Sequence, residues 1–355
     1  MASTDLLFTR LSLRHTKAGR CLAIMLLAAL AGCATPIVQQ SGAVRTVARL
    51  DTSQIIASDG EALPLSVWEA AGEPQAIVLA LHGFNDYRHA FTGVGPFLAA
   101  RGITVYAYDQ RGFGGTAERG IWPGEDRLVH DVRTTTALLR ARHPGRPLYL
   151  LGESMGGAVA ISVLAETPEV ADGVVLVAPA VWGRAAMNPI QRALFWLLAH
   201  SSPDMRLTGQ GLKIMASDNI PMLRALGKDP MVIKGARVDA LWGLTNLMDR
   251  ALNAAPELSV PALVLYGERD QIIPRRPICW MLADLPTSAR TAVYPTGYHM
   301  LTRDLNADVV LNDLAGWLLD ARAALPSGMD GDRWQQFCAI ASQSSSHPRE
   351  WAQQN

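Results

Sequence analysis

The stretch LGESMGGAVA, Leu151 to Ala160, sets a serine among glycines, directly after an apolar run and directly before a helix-like one. Glycine costs order in a strand and in a helix alike. Its density here predicts a backbone that bends hard, or lies very close to another segment, at Ser154. Gly152-Glu153-Ser154-Met155-Gly156 is a G-x-S-x-G pattern, and in a tight strand-to-helix turn such a serine sits in strained geometry that flanking side chains would obstruct.

The surroundings supply the strand and the helix. AIVLALHG (76–83) is a continuous apolar run suited to a strand buried on both faces. ITVYAYD (103–109), LYLLGES (148–154), GVVLVAP (173–179), ALVLYGE (262–268) and TAVYP (291–295) are further strands, with helical patterns at roughly 90–101, 126–142, 155–166 and 306–323. This alternation predicts an α/β fold with a mostly parallel sheet covered on both faces. Two alternating stretches around 50–56 and 63–69, with Asp59-Gly60 between them, read as a hairpin. From about Val181 to Leu258 the strand signal stops while apolar helical patterns continue, which predicts inserted helices above the sheet rather than a long loop.

Ligand sites in open α/β sheets lie at the carboxyl ends of the strands, where Ser154 falls. A serine hydroxyl is a poor nucleophile until a base takes its proton. In this kind of site the acid and then the histidine follow the serine along the chain. Three histidines lie beyond Ser154: His200 in the apolar insertion, His347 in a polar tail, and His299 in a glycine-containing loop after the last strand. His299 is the expected base. Asp270, at the end of ALVLYGERD, is the expected acid; Glu268 is the rival and falls closer to the strand. Acyl transfer also needs oxyanion donors. The backbone N–H groups of Met155 and of Phe84, in the loop Leu81-His82-Gly83-Phe84-Asn85, are the candidates. His82 reads as structural, and Asp109-Gln110-Arg111-Gly112-Phe113-Gly114 as a loop-bracing turn without a phosphate-binding lysine.

LHGFNDY, YDQRGFGG, GESMGG, YGERDQIIP and GYHM, in that order over roughly residues 50–322, resemble the monoacylglycerol lipase and lysophospholipase branch of the α/β-hydrolases. The resemblance implies a helical cap, a Ser154–Asp270–His299 triad, and hydrolysis of an acyl ester of glycerol or a similar lipid. Thr116 departs from it, standing where the glycine loop often ends in serine. The same motifs occur in related peptidases, so an amidase with the same triad is the alternative enzyme, and a non-catalytic binding lipoprotein the alternative class. No cofactor is implied, no metal-ligand spacing occurs, and no protein partner is indicated.

Within the insertion, Ile190, Ala193, Leu194, Leu197 and Leu198 follow the helical period and are expected to face the core, with Phe195 and Trp196 pointing elsewhere. Val238, Leu241, Trp242, Thr245 and Met248 make a second stripe. Apolar side chains beyond one stripe suggest a second apolar contact, an acyl-chain tunnel or a lipid surface, against ordinary helix packing.

Lys+Arg and Asp+Glu are both 32, so the formal net charge is zero, which argues against nucleic-acid binding and a polybasic membrane surface. Arg10, Arg14, Lys17 and Arg20 precede CLAIMLLAALAGCA, an apolar run shorter than the ~20 residues a spanning helix needs. It reads as the core of an export signal. Its end, Leu30-Ala31-Gly32-Cys33, resembles the lipobox of bacterial lipoproteins. That resemblance implies cleavage before Cys33, lipidation of Cys33, and a membrane anchor, at the outer membrane facing the periplasm in a Gram-negative cell. An uncleaved anchor or a buried helix is the alternative. Cys279 and Cys338 then remain, and can pair in an oxidising compartment. The expected organisation is a signal peptide at 1–32, a lipidated tether at 33–48, an α/β-hydrolase core at 49–180 and 259–325, a helical cap at 181–258 and a polar tail at 326–355 with a short helix near Trp334 to Ile340.

Overall fold

The apolar runs pair edge to edge, because a strand buried on both faces can satisfy its backbone only through neighbouring strands. The computed structural model describes residues 34–40, 42–209, 211, 213–331 and 333–339; residues 1–32, read above as an export signal, and Cys33 lie outside the described residues. The strands are β1 (Arg49–Leu50), β2 (Gln54–Ile56), β3 (Ala62–Trp68), β4 (Ala76–Leu81), β5 (Ile103–Tyr108), β6 (Leu148–Glu153), β7 (Gly173–Val177), β8 (Arg206–Thr208), β9 (Gly235–Arg237), β10 (Ala262–Gly267) and β11 (Arg290–Tyr294). The helices are α1 (Val94–Ala99), α2 (Glu125–Arg142), α3 (Met155–Glu166), α4 (Pro189–Ser201), α5 (Ile220–Lys228), α6 (Val238–Ala254), α7 (Arg275–Asp284), α8 (Ala307–Leu319) and α9 (Arg333–Ala339).

Nine strands form one sheet in the order β1-β2-β3-β5-β4-β6-β7-β10-β11. The run from β5 to β11 is parallel, and β1 to β3 join it antiparallel, with β3 on β5. Every residue of β4, β5 and β10 is buried. Alternate residues divide between two cores. Ile77, Leu79 and Leu81 pack with α2, α3, α6 and α7, while Ala76, Val78 and Ala80 pack with α1 and α8. This is the architecture that the alternating strand and helix patterns predict.

The interval after β7 differs from the expectation in two ways. It contains a short antiparallel ladder, β8 on β9, with Arg206, Leu207 and Thr208 opposite Arg237, Ala236 and Gly235. Three residues are too few to show alternation, and all of β8 is exposed, so no apolar pattern marks it. The face of α4 expected to meet the core also points outward: Ile190, Leu194 and Leu197 are 72%, 61% and 52% exposed. Phe195 turns inward instead, into the cavity described below. The stripe on α6 is buried at Val238, Thr245 and Met248 and partly exposed at Leu241 and Trp242.

Cys279 on α7 and Cys338 on α9 are joined by a disulfide. It ties the terminal helix to the fold beside Tyr266, whose ring Phe337 contacts.

Candidate active site

Glycines surround Ser154 for a steric reason. A Cβ on Gly156 would lie 2.0 Å from the Leu81 carbonyl oxygen, and one on Gly152 2.5 Å from the Gly156 carbonyl oxygen. Helix α3 is therefore pressed onto β4 and β6 more closely than any side chain permits. Ser154 pivots between β6 and α3 with φ 53° and ψ −114°. Such backbone costs ~1–3 kcal/mol and persists only when its surroundings hold it. Here they do: Ser154 N–H donates to the Val177 carbonyl, and the Ser154 carbonyl accepts from Gly157, Ala158 and Ala180 N–H. Met155 opens α3, so its N–H belongs to the helix end that lacks intrahelical partners.

The loop after β4 faces Ser154. A Cβ on Gly83 would stand 3.4 Å from Ser154 Cβ and 4.0 Å from its Oγ, so Gly83 lies across from the hydroxyl, and Phe84 lines the same cavity as Ser154. Asn85 has φ 67°, and its carbonyl accepts from Ile233 N–H. His82 is structural. Its Nε2 accepts from Gln110 N–H and its Nδ1–H donates to the Gly83 carbonyl. Complete burial lowers its pKa and keeps the ring neutral. Asp109 braces the same loop by accepting from Arg88 N–H, the Arg88 guanidinium and Gly115 N–H. Thr116 turns its hydroxyl back to the Phe113 carbonyl.

His299 and Asp270 meet after β11 and β10. His299 Nδ1 lies 2.7 Å from Asp270 Oδ2, and the bond goes to Asp270 rather than to Glu268. The Asp270 carboxyl is fully buried. Its other oxygen accepts from Ile272 and Ile273 N–H at 2.7 and 3.0 Å. The histidine loop is held from the inserted segment: Asp304 accepts from Tyr298 N–H and the buried Ser217 hydroxyl, and Met300 N–H donates to the Ala216 carbonyl.

Ser154, Gly83, Phe84 and His299 line one cavity of about 550 Å³, within the ~300–1,000 Å³ typical of small-ligand sites. Its wall is apolar: Trp182, Phe195, Leu241, Leu244, Met248 and Ile272. The same lining includes three charged side chains, Asp86, Glu153 and Arg303. Arg303 Nη1 donates to Asp86 Oδ2 at 2.7 Å and Nη2 to Glu153 Oε1 at 2.5 Å. Burial works against the charge on Arg303, and Glu153 and Asp86 more than offset it, so the guanidinium stays ionised. Sequence reasoning missed this group. Asp86 and Glu153 lie inside quoted motifs and Arg303 four residues past His299, but no spacing shows that the three converge. Among the described residues no cluster of three metal-ligating side chains occurs.

The model of the family described as serine aminopeptidase, S33, matches residues 72–306. Among curated relatives, a mouse (Mus musculus) monoglyceride lipase is 28% identical over 284 residues, spanning 78% of this chain and 93% of its own length. A monoacylglycerol lipase of Mycolicibacterium smegmatis is 28% identical over 267 residues, spanning 73% and 94%. Among solved structures, a soluble variant of the Saccharomyces cerevisiae monoglyceride lipase superposes with a TM-score of 0.64 at 22% identity, over 79% of this chain and 98% of that one. Sheet order, the strained turn at Ser154 and the family match agree: the chain belongs to the serine aminopeptidase S33 family of α/β-hydrolases.

Proposed function

We propose that this protein is a serine hydrolase that cleaves carboxylic esters of the monoacylglycerol type through an acyl-enzyme. The observation that carries the reading is the 2.7 Å pairing of His299 with buried Asp270, opening with Ser154 onto one apolar cavity. Ser154 Oγ attacks the ester carbonyl while His299 Nε2 takes its proton. The tetrahedral oxyanion accepts hydrogen bonds from Met155 and Phe84 N–H. The intermediate collapses, and His299 returns the proton to the leaving alkoxide. Water, deprotonated by His299, then releases the fatty acid and frees Ser154. Asp270 holds the imidazole tautomer and stabilises its charged form. The apolar wall takes the acyl chain. The helices after β7 act as the cap.

The relatives named as monoglyceride lipases support the ester reading, and the family description supports an aminopeptidase as the second reading. Turnover of 1-acylglycerols and of aminoacyl amides separates them. Ser154→Ala is expected to remove about 10⁶-fold of kcat on the acylglycerol while leaving the melting temperature unchanged. Wild-type turnover in that variant sinks the assignment, and amide turnover exceeding ester turnover replaces it with the peptidase.

The substrate class also suits the location read from the N-terminus. We place the protein at a membrane surface through a lipidated Cys33, with the exposed apolar face of α4 toward lipid. Metabolic labelling with a fatty acid is expected to mark the wild type and not Cys33→Ala; a wild type that incorporates no label, or a label that persists in Cys33→Ala, counts against the anchor.

A further inference from the structure

We propose that Arg303 is a positioning residue, a single fork that holds the oxyanion loop, the nucleophile turn and the histidine loop in one register. The claim rests on the hydrolase reading above.

Each contact of the guanidinium lands beside a different part of the site. Asp86 lies two residues after Phe84, the second oxyanion donor. Glu153 immediately precedes Ser154. Arg303 itself lies four residues after His299. The side chains of Arg303, Asp86 and Glu153 are 11%, 9% and 3% exposed, so water screens these contacts little. The two bonds leave from Nη1 and Nη2 separately. A guanidinium holds its donors in a rigid plane, so fixing one carboxylate restricts the other. An ammonium is a point charge on a flexible stem and imposes no such geometry. Asp86 is fixed further by Tyr87 N–H at 2.9 Å, which carries the constraint into the oxyanion loop. Arg303 is fixed from the insertion by the Asn219 amide, which donates to its carbonyl at 3.0 Å. The three loops come from distant parts of the chain, and among the described residues this guanidinium bonds to both of the other two loops from the histidine loop. A displacement of about 1 Å in a reacting group can cost about 10²-fold in rate.

The test is Arg303→Lys in the full chain, with active sites counted by fluorophosphonate labelling and turnover followed on a short p-nitrophenyl ester. The expected result is a kcat per labelled site lower by about tenfold or more, with KM within twofold of wild type. Asp86→Asn cuts one arm and leaves the Glu153 pair, so it is expected to lower kcat in the same direction. The double variant is expected to lose little beyond Arg303→Lys alone, because both changes break one linkage. A purely structural role lowers the melting temperature and leaves kcat per labelled site unchanged. The role is overturned by kcat within twofold of wild type in Arg303→Lys, or in Asp86→Asn should the lysine variant not fold. It is also overturned by a loss confined to KM. An active wild type with either result refutes only the role of Arg303; an inert, unlabelled wild type refutes the hydrolase reading as well.

Discussion

Helices α4 and α6 stand on the same cavity and are stabilised in opposite ways. Both contribute to its wall, Phe195 from α4 and Leu241 and Leu244 from α6. Behind that wall they part. On α6, Leu247 and Ala251 are fully buried in the core that also contains α3 and one face of the sheet. On α4 only Ala199 is buried, while Ile190, Leu194 and Leu197 stand in the open beside Trp196, itself 49% exposed. The contrast teaches that a helical apolar period announces a covered face without saying what covers it. For α6 the cover is the rest of the protein. Burying one such leucine is worth ~1.5–3 kcal/mol, and within the described residues Ile190, Leu194 and Leu197 of α4 do not realise that gain.

The largest expected effect breaks the α6 side. Leu247→Ala removes a fully buried side chain from a closely packed layer, where the lost transfer energy and the cavity add. A loss of about 2–5 kcal/mol in urea unfolding is expected. A loss below about 0.5 kcal/mol would mean that α6 is no better anchored than α4.

How much of this was legible in the sequence follows the same division. Strands buried on both faces read as unbroken apolar runs, so β4 to β7, β10 and β11 and the mostly parallel character of their sheet followed from the chain alone, while their order in the sheet did not. The glycines around Ser154 were legible because a side chain at Gly152 or Gly156 would strike the backbone of α3 or β4, and one at Gly157 would strike Pro179. His299 and Asp270 were legible as loop residues at strand ends, and their pairing required only that those ends be neighbours. The outward turn of α4 was not legible, since Ile190 and Leu194 have the same period whichever way the helix faces. Nor was the convergence of Arg303, Asp86 and Glu153, because ion pairs between three loops leave no periodicity. The β8–β9 ladder was too short to carry a signal.

A smaller effect probes how dry the sheet end is. Burial holds the pKa of His82 below its ordinary 6.5. As pH falls, the unfolded chain therefore binds this proton before the folded one does. The contribution of His82 is complete above its ordinary pKa, and it is lost as pH drops from there through the folded value. His82→Gln can still accept the Gln110 N–H but cannot titrate. It is expected to melt lower than wild type near about pH 8, and to show a shallower fall in melting temperature between about pH 7 and pH 5. Parallel profiles would show that the imidazole is wet enough to protonate in place.

The smallest effect on stability belongs to α4 and carries the most information. Serine at Ile190, Leu194 and Leu197 together changes only side chains already in solvent, each expected to shift stability by less than about 0.5 kcal/mol. If lipid is what covers this face, the triple variant keeps its melting temperature and its kcat on a soluble ester. It loses severalfold turnover on monoacylglycerol presented in vesicles, and the vesicle-induced blue shift of tryptophan fluorescence weakens. Unchanged vesicle turnover with an unchanged shift refutes the lipid contact. A collapse in melting temperature would place protein over α4, and that outcome would make α4 and α6 alike after all, two helices covered by the same kind of partner.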